Sequence, residues 1–175
     1  MREHRLISCV GKNKIITIPD SVTSIGDYAF YFCKSLQKIN LPNSLTRIGT
    51  CAFCCCFSLQ EITLPDSITD IGDGAFASCY NLKNIAFPNT STNIGDEVLA
   101  SCESLKTIKL PNPHISIEEN SFGALCGGGA EGYWISYVSA EKIFIPSGTR
   151  EKFKKLLPIK LHDKLVEYPD ATNFE

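Results

Sequence analysis

A solenoid of stacked, short parallel β-strands is the fold class that this sequence predicts, and three observations predict it. A 23-residue phrase starts at Pro19, Pro42, Pro65 and Pro88, and an altered fifth copy starts at Pro111. Ile and Leu alternate with polar residues just before each of these prolines. Glycine, Ala-Phe and cysteine recur at constant offsets in most copies. Self-similarity at such a period indicates stacked units, each burying its apolar residues against its neighbours.

Composition sets broad limits on the 175-residue chain. With 43% hydrophobic and 21% charged residues, we expect a single globular domain over residues 1–175. The net charge of −2 gives no electrostatic case for nucleic acid or an anionic membrane as the main partner. No apolar run approaches the roughly 20 residues of a membrane span. The N-terminus lacks the apolar segment of a secretory signal, so the compartment stays open.

Each repeat is predicted to contain one strand that ends just before its proline. Alternation turns Ile39 and Leu41 to one side and Lys38 and Asn40 to the other. Proline has no N–H, so it ends the strand. The outward residues form two columns, which run Ile15, Lys38, Glu61, Asn84, Thr107, Lys142 and Thr17, Asn40, Thr63, Ala86, Lys109, Phe144.

A second short extended piece and a corner complete each repeat. A glycine follows the second piece in four copies, at Gly26, Gly49, Gly72 and Gly95. It indicates either a left-handed or a tightly packed backbone position. Asp27, Asp73 and Asp96 follow these glycines and are predicted to cap one short helical turn. The Ala-Phe pair that comes next is predicted to point inward.

The predicted boundaries follow the places where the phrase changes. Residues 1–18 are a partial repeat and cap, 19–125 the repeats, 126–139 an insertion, and 140–175 the last strand and a C-terminal cap. The three glycines at 127–129 are expected to form a flexible tip of the insertion, because the lysine of a phosphate-binding loop is missing. A helix capped by Ser147 or Thr149 should bury Phe153 and stop at Pro158. Residues 164–168 should form a final extended piece.

The phrases PDSVTSIGDYAFYFCKSLQKINL and PNSLTRIGTCAFCCCFSLQEITL resemble the BspA-type leucine-rich repeats of bacteria. The likeness covers roughly residues 15–125 and includes the offsets of proline, glycine, Ala-Phe, cysteine, leucine and isoleucine. It implies a leucine-rich-repeat solenoid, coiled right-handedly, with a parallel sheet along one side and a C-terminal helical cap. It also implies protein binding, commonly at the bacterial surface and sometimes towards host proteins.

Nine cysteines raise the question of disulfides and metals. Cys33, Cys56, Cys79 and Cys102 share one repeat offset, and the family pattern has cysteine there, so we expect a buried column of small thiols. A bridge between stacked neighbours is the alternative. Cys51 and Cys54 have zinc-ligand spacing, but no second ligand pair follows at a matching distance. We therefore expect neither a metal site nor a cofactor.

Two candidate partner-binding surfaces emerge. The first is the outward strand face, represented by Lys38, Asn40, Glu61, Thr63, Asn84, Thr107 and Lys109. Its alternative is a row of ordinary solvated strand residues. The second is the insertion, with Tyr133, Trp134 and Tyr137. Aromatic residues are enriched at interface hot spots, but these three could equally patch the interrupted core.

A non-catalytic protein-interaction module, adhesin-like if the resemblance extends to function, is the leading functional hypothesis. We expect a monomer with a protein partner. One alternative is a carbohydrate-active enzyme on a parallel β-coil, but glycoside hydrolysis needs two converging acids and the outward strand positions offer only Glu61. The other alternative is a structural spacer, which the predicted C-terminal cap disfavours.

Overall fold

The computed structural model describes residues 14–118, 120–129, 132–138 and 140–168. The strands are β1 (Ile15–Thr17), β2 (Ser24–Ile25), β3 (Lys38–Asn40), β4 (Arg47–Ile48), β5 (Glu61–Thr63), β6 (Asp70–Ile71), β7 (Asn84–Ala86), β8 (Asn93–Ile94), β9 (Thr107–Lys109), β10 (Ser116–Ile117), β11 (Gly123–Gly129), β12 (Gly132–Tyr137), β13 (Lys142–Pro146) and β14 (Leu165–Tyr168). One α-helix, α1 (Arg150–Leu156), and one 3-10 helix (Ile159–Lys164) lie between β13 and β14. The chain is therefore built mainly of two- and three-residue strands.

The strands form two parallel sheets, and each repeat contributes one strand to each sheet. The larger sheet has seven strands in the order β1-β3-β5-β7-β9-β13-β14, and the smaller has five in the order β10-β8-β6-β4-β2. Ile39 pairs with Ile16 on one side and with Ile62 on the other, so the register advances by one 23-residue repeat. The predicted solenoid, including the strand in the N-terminal partial repeat, is confirmed.

The core consists of columns of identical positions. Ile39, Ile62 and Ile85 are all buried beneath the larger sheet. At the corner the Phe53 ring stacks on the rings of Phe30 and Phe76, with centroids 5.1 and 5.4 Å apart and planes within 5° of parallel. Since no repeat could bury these side chains alone, stacking of turns is what removes them from water.

The corner differs from the sequence prediction, because it is a series of turns and its aspartates are not helix caps. The Oδ1 atom of Asp27 accepts a hydrogen bond from the backbone N–H of Thr50, which is one repeat further along, at 2.9 Å. Asp73 binds the N–H of Asp96 in the same way at 3.0 Å. The aspartates thus tie consecutive turns together instead of capping a local helix.

This contact also decides between the two explanations of the recurrent glycine. A Cβ atom placed on Gly49 would lie 2.4 Å from Asp27 Oδ1, and one on Gly95 would lie 2.3 Å from Asp73 Oδ1. Real Cβ atoms do not approach oxygen so closely. The glycine is therefore required because the preceding turn passes against it, and not because of a positive φ angle.

Left-handed backbone does occur at the corner, at two positions per repeat that are seldom glycine. The first is occupied by Tyr28, Cys51, Gly74 and Glu97, with φ between 51 and 60°. The second is occupied by Phe32, Cys55, Ser78 and Ser101, with φ between 56 and 61°. Such a conformation costs a non-glycine residue about 1–2 kcal/mol, so the inter-turn hydrogen bonds and the buried Phe must hold it in place.

The glycines at 127–129, which were expected to form the flexible tip of the insertion, belong to strand β11. Strands β11 and β12 form an antiparallel hairpin in which Cys126 lies opposite Trp134 and Gly129 lies opposite Gly132. The register of the two strands shifts between Cys126 and Gly129. The insertion therefore leaves the solenoid as a β-ribbon. It rejoins the solenoid where the N–H of Val138 donates to the carbonyl of Phe122 at 3.0 Å.

The predicted C-terminal cap is confirmed. Thr149 holds the N-cap position of α1, but its hydroxyl donates to the carbonyl of Pro146 and makes no capping hydrogen bond to the helix. Phe153 and Leu157 are buried against the last turn. The 3-10 helix adds the buried Leu161, and β14 then pairs in parallel with β13 as the last strand of the larger sheet. Phe153, Leu157 and Leu161 thus close the apolar end of the core.

Candidate protein-interaction surface

The outward columns of the larger sheet form a continuous surface, which we call the strand face. In the first column Lys38 lies beside Glu61, Glu61 beside Asn84, and Asn84 beside Thr107. Lys38, Glu61 and Asn84 are exposed, and Thr107 is half-buried. The parallel backbone holds these side chains in register. The second column includes Asn40, Thr63 and Lys109, on β3, β5 and β9.

An ion pair orders the N-terminal part of the strand face. Lys38 Nζ lies 2.6 Å from Glu61 Oε1 in the neighbouring turn. The hydrogen bond from Lys38 and its positive charge together lower the pKa of the Glu61 carboxyl. Both side chains remain about half or more exposed, at 48% and 63%, so water and a partner can reach them. The pair defines the charge pattern of this region and contributes little to stability.

A shallow groove of about 340 Å³ opens between β3 and β5 beside this pair. Its polar lining comes from Lys38, Asn40, Asn43, Glu61 and Thr63. The amide of Asn40 also donates to Thr17 Oγ1 at 3.0 Å, which fixes its orientation. Five of the nine residues that line the groove have polar side chains, and amides and hydroxyls of this kind suit hydrogen bonds to a polypeptide backbone.

A cluster of aromatic residues on the corner was not predicted. It comprises the exposed Tyr28, Tyr31, Phe32 and Tyr80 and the half-buried Phe57, and we call it the corner aromatic cluster. Ring centroids are 5.8 Å apart for Tyr28 and Tyr31, 5.5 Å for Phe32 and Phe57, and 5.1 Å for Phe57 and Tyr80. Tyr28 is 57% exposed and Phe32 is 48% exposed. Contiguous exposed aromatic surface of this kind is typical of interaction sites.

Lys34 completes this cluster. Its Nζ atom lies 4.2 Å from the centroid of the Phe32 ring and 5.8 Å from that of Phe57. A cation over a ring face is attracted by the ring quadrupole. The sequence signal for the cluster was weak, because only Phe57 and Tyr80 share a repeat offset and only the stacking of turns brings Phe32 against Phe57.

The cysteine column is confirmed as buried, and it has a polar role that the sequence did not predict. The thiol of Cys79 donates to the carbonyl of Phe53 at 3.3 Å, and that of Cys102 donates to the carbonyl of Phe76 at 3.2 Å. Burial raises the pKa of the Cys102 thiol to about 12 and that of Cys79 well above its usual value. These thiols are therefore protonated at neutral pH and act as small donors within the core.

Cys51, Cys54 and Cys55 form a half-buried group on the corner. Cys54 Sγ lies 3.6 Å from Cys55 Sγ, and burial is the main cause that raises the pKa of Cys54 to about 12. Burial also raises the pKa of Cys51. Thiols with raised pKa values are poor nucleophiles at neutral pH. Among the residues that the structure describes, no group of three His, Cys, Asp or Glu side chains is placed to hold a metal ion.

The second predicted surface is described only by its backbone. Tyr133, Trp134 and Tyr137 all lie on β12 of the hairpin. Their side chains are outside the described part of the structure, so the alternatives of partner contact and core patching both remain predictions.

Comparison with known families identifies the repeat. The model of the BspA type leucine rich repeat region matches residues 7–126 with 6 copies. The chain belongs to this family. The match extends the resemblance seen in the sequence by about one-third of a repeat at the N-terminus. No helix in the described residues has the length and apolar character needed to cross a bilayer.

Solved structures of bacterial leucine-rich repeat proteins resemble this chain. A protein from T. pallidum is 34% identical, with a TM-score of 0.58, over 61% of this chain and 52% of its own. One from Bacteroides ovatus is 30% identical, with a TM-score of 0.53, and the match covers 76% of this chain and 33% of that protein. The pneumococcal vaccine antigen PcpA is 20% identical and shows the same fold, with a TM-score of 0.61. The match covers 90% of this chain and 40% of PcpA. The BspA-type chain thus spans about half or less of these relatives. None of the curated proteins compared matches it significantly.

Proposed function

We propose that this repeat protein is a non-catalytic protein-binding module that presents the strand face to its partner. The observation that carries the proposal is that, within each strand, the residues that form the core are different from those that face solvent. Ile39, Ile62 and Ile85 hold the core, while their neighbours Lys38, Glu61 and Asn84 point outward and are exposed. The outward residues are therefore free to recognise a partner without disturbing the fold.

The chemistry of the strand face supports binding rather than catalysis. Glu61 is its only carboxylate in the two columns, and Lys38 lowers its pKa. A general acid in glycoside hydrolysis needs a raised pKa and a second carboxylate several ångströms away. The lowered pKa of Glu61 is the opposite of what such a role requires, so an enzyme on this face is the weaker proposal.

Display at the bacterial surface and contact with host proteins form the finer part of the proposal. Family resemblance supports it. Antibody labelling of intact cells tests display, and loss of labelling after brief treatment of intact cells with protease is the expected result. The corner aromatic cluster provides a second exposed area that a large partner could reach.

A pair of charge-swap variants tests the strand face. Lys38→Glu/Glu61→Lys inverts the charge pattern of the strand face but keeps an ion pair between the two positions. Arg47→Asp/Asp70→Arg is the matched control, because it swaps the 2.9 Å ion pair between β4 and β6 on the smaller sheet. Both variants keep the net charge of the protein.

The expected result is that a partner isolated with the wild-type protein binds the control variant normally and binds the Lys38→Glu/Glu61→Lys variant at least about tenfold more weakly. Equal affinity for all three proteins, measured by titration calorimetry, would exclude the Lys38–Glu61 region as a contact.

A further inference from the structure

Three lysines in the C-terminal turns lie on or directly beside the strand face, and we call them the basic row. Lys83 and Lys106 come directly before β7 and β9, and Lys142 is the first residue of β13. The N–H of Lys106 donates to the carbonyl of Lys83 at 2.7 Å, and the N–H of Lys142 donates to the carbonyl of Lys106 at 3.1 Å. The lysines therefore occupy adjacent turns, whose strands are about 4.8 Å apart.

The lysines of the basic row form no ion pair with any residue that the structure describes. All three lysines are exposed, and among the described residues none has a carboxylate within ion-pair distance. Glu141 is also exposed and holds the position in the last turn that Lys83 and Lys106 hold in theirs, since its N–H donates to the carbonyl of Lys106 at 2.8 Å. Lys142 stands one residue further on, beside Thr107. Among the described residues Glu141 forms no ion pair with the three lysines. At the N-terminal end of the same face, by contrast, Glu61 pairs with Lys38 at 2.6 Å. Within the described residues, the C-terminal end of the strand face thus carries three unpaired lysines against the carboxylate of Glu141.

The remaining charge of the molecule favours a narrow partner over a large polyanion. The net charge is −2, and Asp27, Asp73 and Asp96 line the corner that follows the smaller sheet. A nucleic-acid duplex or a membrane surface would also meet the field of these carboxylates. A single extended chain that crosses the strands at the row would avoid them.

We propose that the basic row is the docking site for an extended acidic segment of a partner protein. The inference rests on the proposed function and names the chemistry that the strand face selects. Glutamate or aspartate side chains of the segment would pair with Lys83, Lys106 and Lys142. The amide of Asn84 and the hydroxyl of Thr107, which lie side by side next to the row, would bond its peptide groups.

The test measures binding of a fluorescent peptide in which glutamate and serine alternate, by anisotropy at about 50 mM and about 200 mM NaCl. The wild-type protein should bind this peptide more tightly than the matched glutamine–serine peptide, and more weakly at the higher salt concentration. Lys83→Gln/Lys106→Gln/Lys142→Gln should weaken binding at least about tenfold. The control Lys152→Gln/Lys155→Gln/Lys160→Gln removes the same charge from exposed positions in the C-terminal cap and should bind like the wild type.

Three outcomes would overturn the inference. The first is no difference between the two peptides, and the second is equal weakening in both triple variants. The third is tighter binding to duplex DNA or to phosphatidylglycerol vesicles than to the glutamate peptide, which would assign the row to another class of partner. The charge-swap experiment at Lys38 and Glu61 uses the natural partner and other residues. A negative result with the glutamate peptide therefore contradicts the docking site but not the proposed function. A negative result with the charge-swap variants contradicts the proposed contact at Lys38 and Glu61, and the peptide experiment still decides whether the basic row binds acidic segments.

Discussion

The carboxylate of Asp73 accepts a hydrogen bond from the backbone N–H of Asp96, and the two residues hold the same position in consecutive repeats. Each of these aspartates thus satisfies a donor in the next turn that the sheets leave unpaired. Asp96 continues the series by accepting from the N–H of Asn120 at 3.2 Å. At the corner these side-chain hydrogen bonds add to backbone hydrogen bonds between turns, such as the one from the N–H of Gly74 to the carbonyl of Asp96 at 2.8 Å.

Removal of the Asp73 carboxylate should therefore weaken the junction between turns. We expect Asp73→Ala to lower the free energy of unfolding by about 1 kcal/mol, because the N–H of Asp96 loses its acceptor at a partly hydrated site. Asp73→Asn keeps an acceptor oxygen and should cost less. Urea denaturation of the three proteins gives the comparison, and equal stability of Asp73→Ala and the wild type would contradict this account of the corner.

Gly95→Ala should cost more than Asp73→Ala. Its Cβ would lie 2.3 Å from Asp73 Oδ1 and 2.8 Å from the backbone nitrogen of Asp73, so both turns must shift. We expect a loss of about 2–4 kcal/mol in the same urea experiment. In the Asp73→Ala background the cost should fall only in part, since the backbone contact remains. If Gly95→Ala cost no stability in that background, the Asp73 side chain alone would be the reason for the glycine, and the role of the backbone contact would be contradicted.

Gly74 offers a test of backbone strain at the left-handed corner position. Its φ of 60° predicts a loss of about 1 kcal/mol in Gly74→Ala, and the new Cβ would also lie 3.2 Å from Cys51 Sγ. Repeating the substitution in a Cys51→Ala background separates the two causes. An unchanged cost assigns the loss to the backbone, whereas disappearance of the cost would refute the strain explanation.

Alkaline pH should destabilise the protein through its buried thiols. Burial raises the pKa of Cys102 from 9.0 to about 12, so the unfolded chain releases this proton at lower pH than the folded one. The contribution of this thiol to the free energy of unfolding is therefore fully present below pH 9 and is lost as the pH rises towards 12. Thermal midpoints of wild type and Cys102→Ala, measured over this range, should converge as pH rises. A constant difference between them would contradict the shifted pKa.

Loss of Lys38 should change the titration of Glu61 more than the stability of the fold. The hydrogen bond and charge of Lys38 lower the Glu61 pKa, so the pair is intact at neutral pH and is lost as pH falls through the folded-state pKa. In Lys38→Met the pKa of Glu61 should rise towards 4.5, as followed by carboxyl-carbon NMR. The thermal midpoint at neutral pH should hardly move. An unchanged Glu61 pKa would show that the ion pair does not persist in solution.

The sequence predicted those features that recur at a fixed offset. Ile39 and its equivalents gave the register of the larger sheet, and Cys79 and Cys102 were placed in the core because their offset matched that of the family. The columns that contain Lys38 and Glu61 could be listed in advance for the same reason. A repeated position has the same neighbours in each turn, so one pattern predicts many contacts.

Features in which a contact with another turn or another strand replaces the local contact that the sequence suggests were missed. The sequence suggested that Asp73 caps a helix next to it, whereas its carboxylate accepts from the N–H of Asp96, 23 residues away. Phe32 and Phe57 stand at different offsets, so their contact appears only when the turns are stacked. The hairpin was hidden by the low strand propensity of its glycines at 127–129, although its second strand is rich in Tyr, Trp and Ile. In each case tertiary pairing overrode the local signal.

The central claim is that a partner protein docks on the strand face, and site-specific photo-crosslinking tests it most directly. A photoreactive residue is placed at Asn84 on the larger sheet or at Asn93 on the smaller sheet, both of which are exposed and belong to neighbouring strands of the chain. With a partner bound to the wild-type protein, we predict a crosslinked product from position 84 and none from position 93. A product from position 93 alone would contradict the assignment of the binding surface.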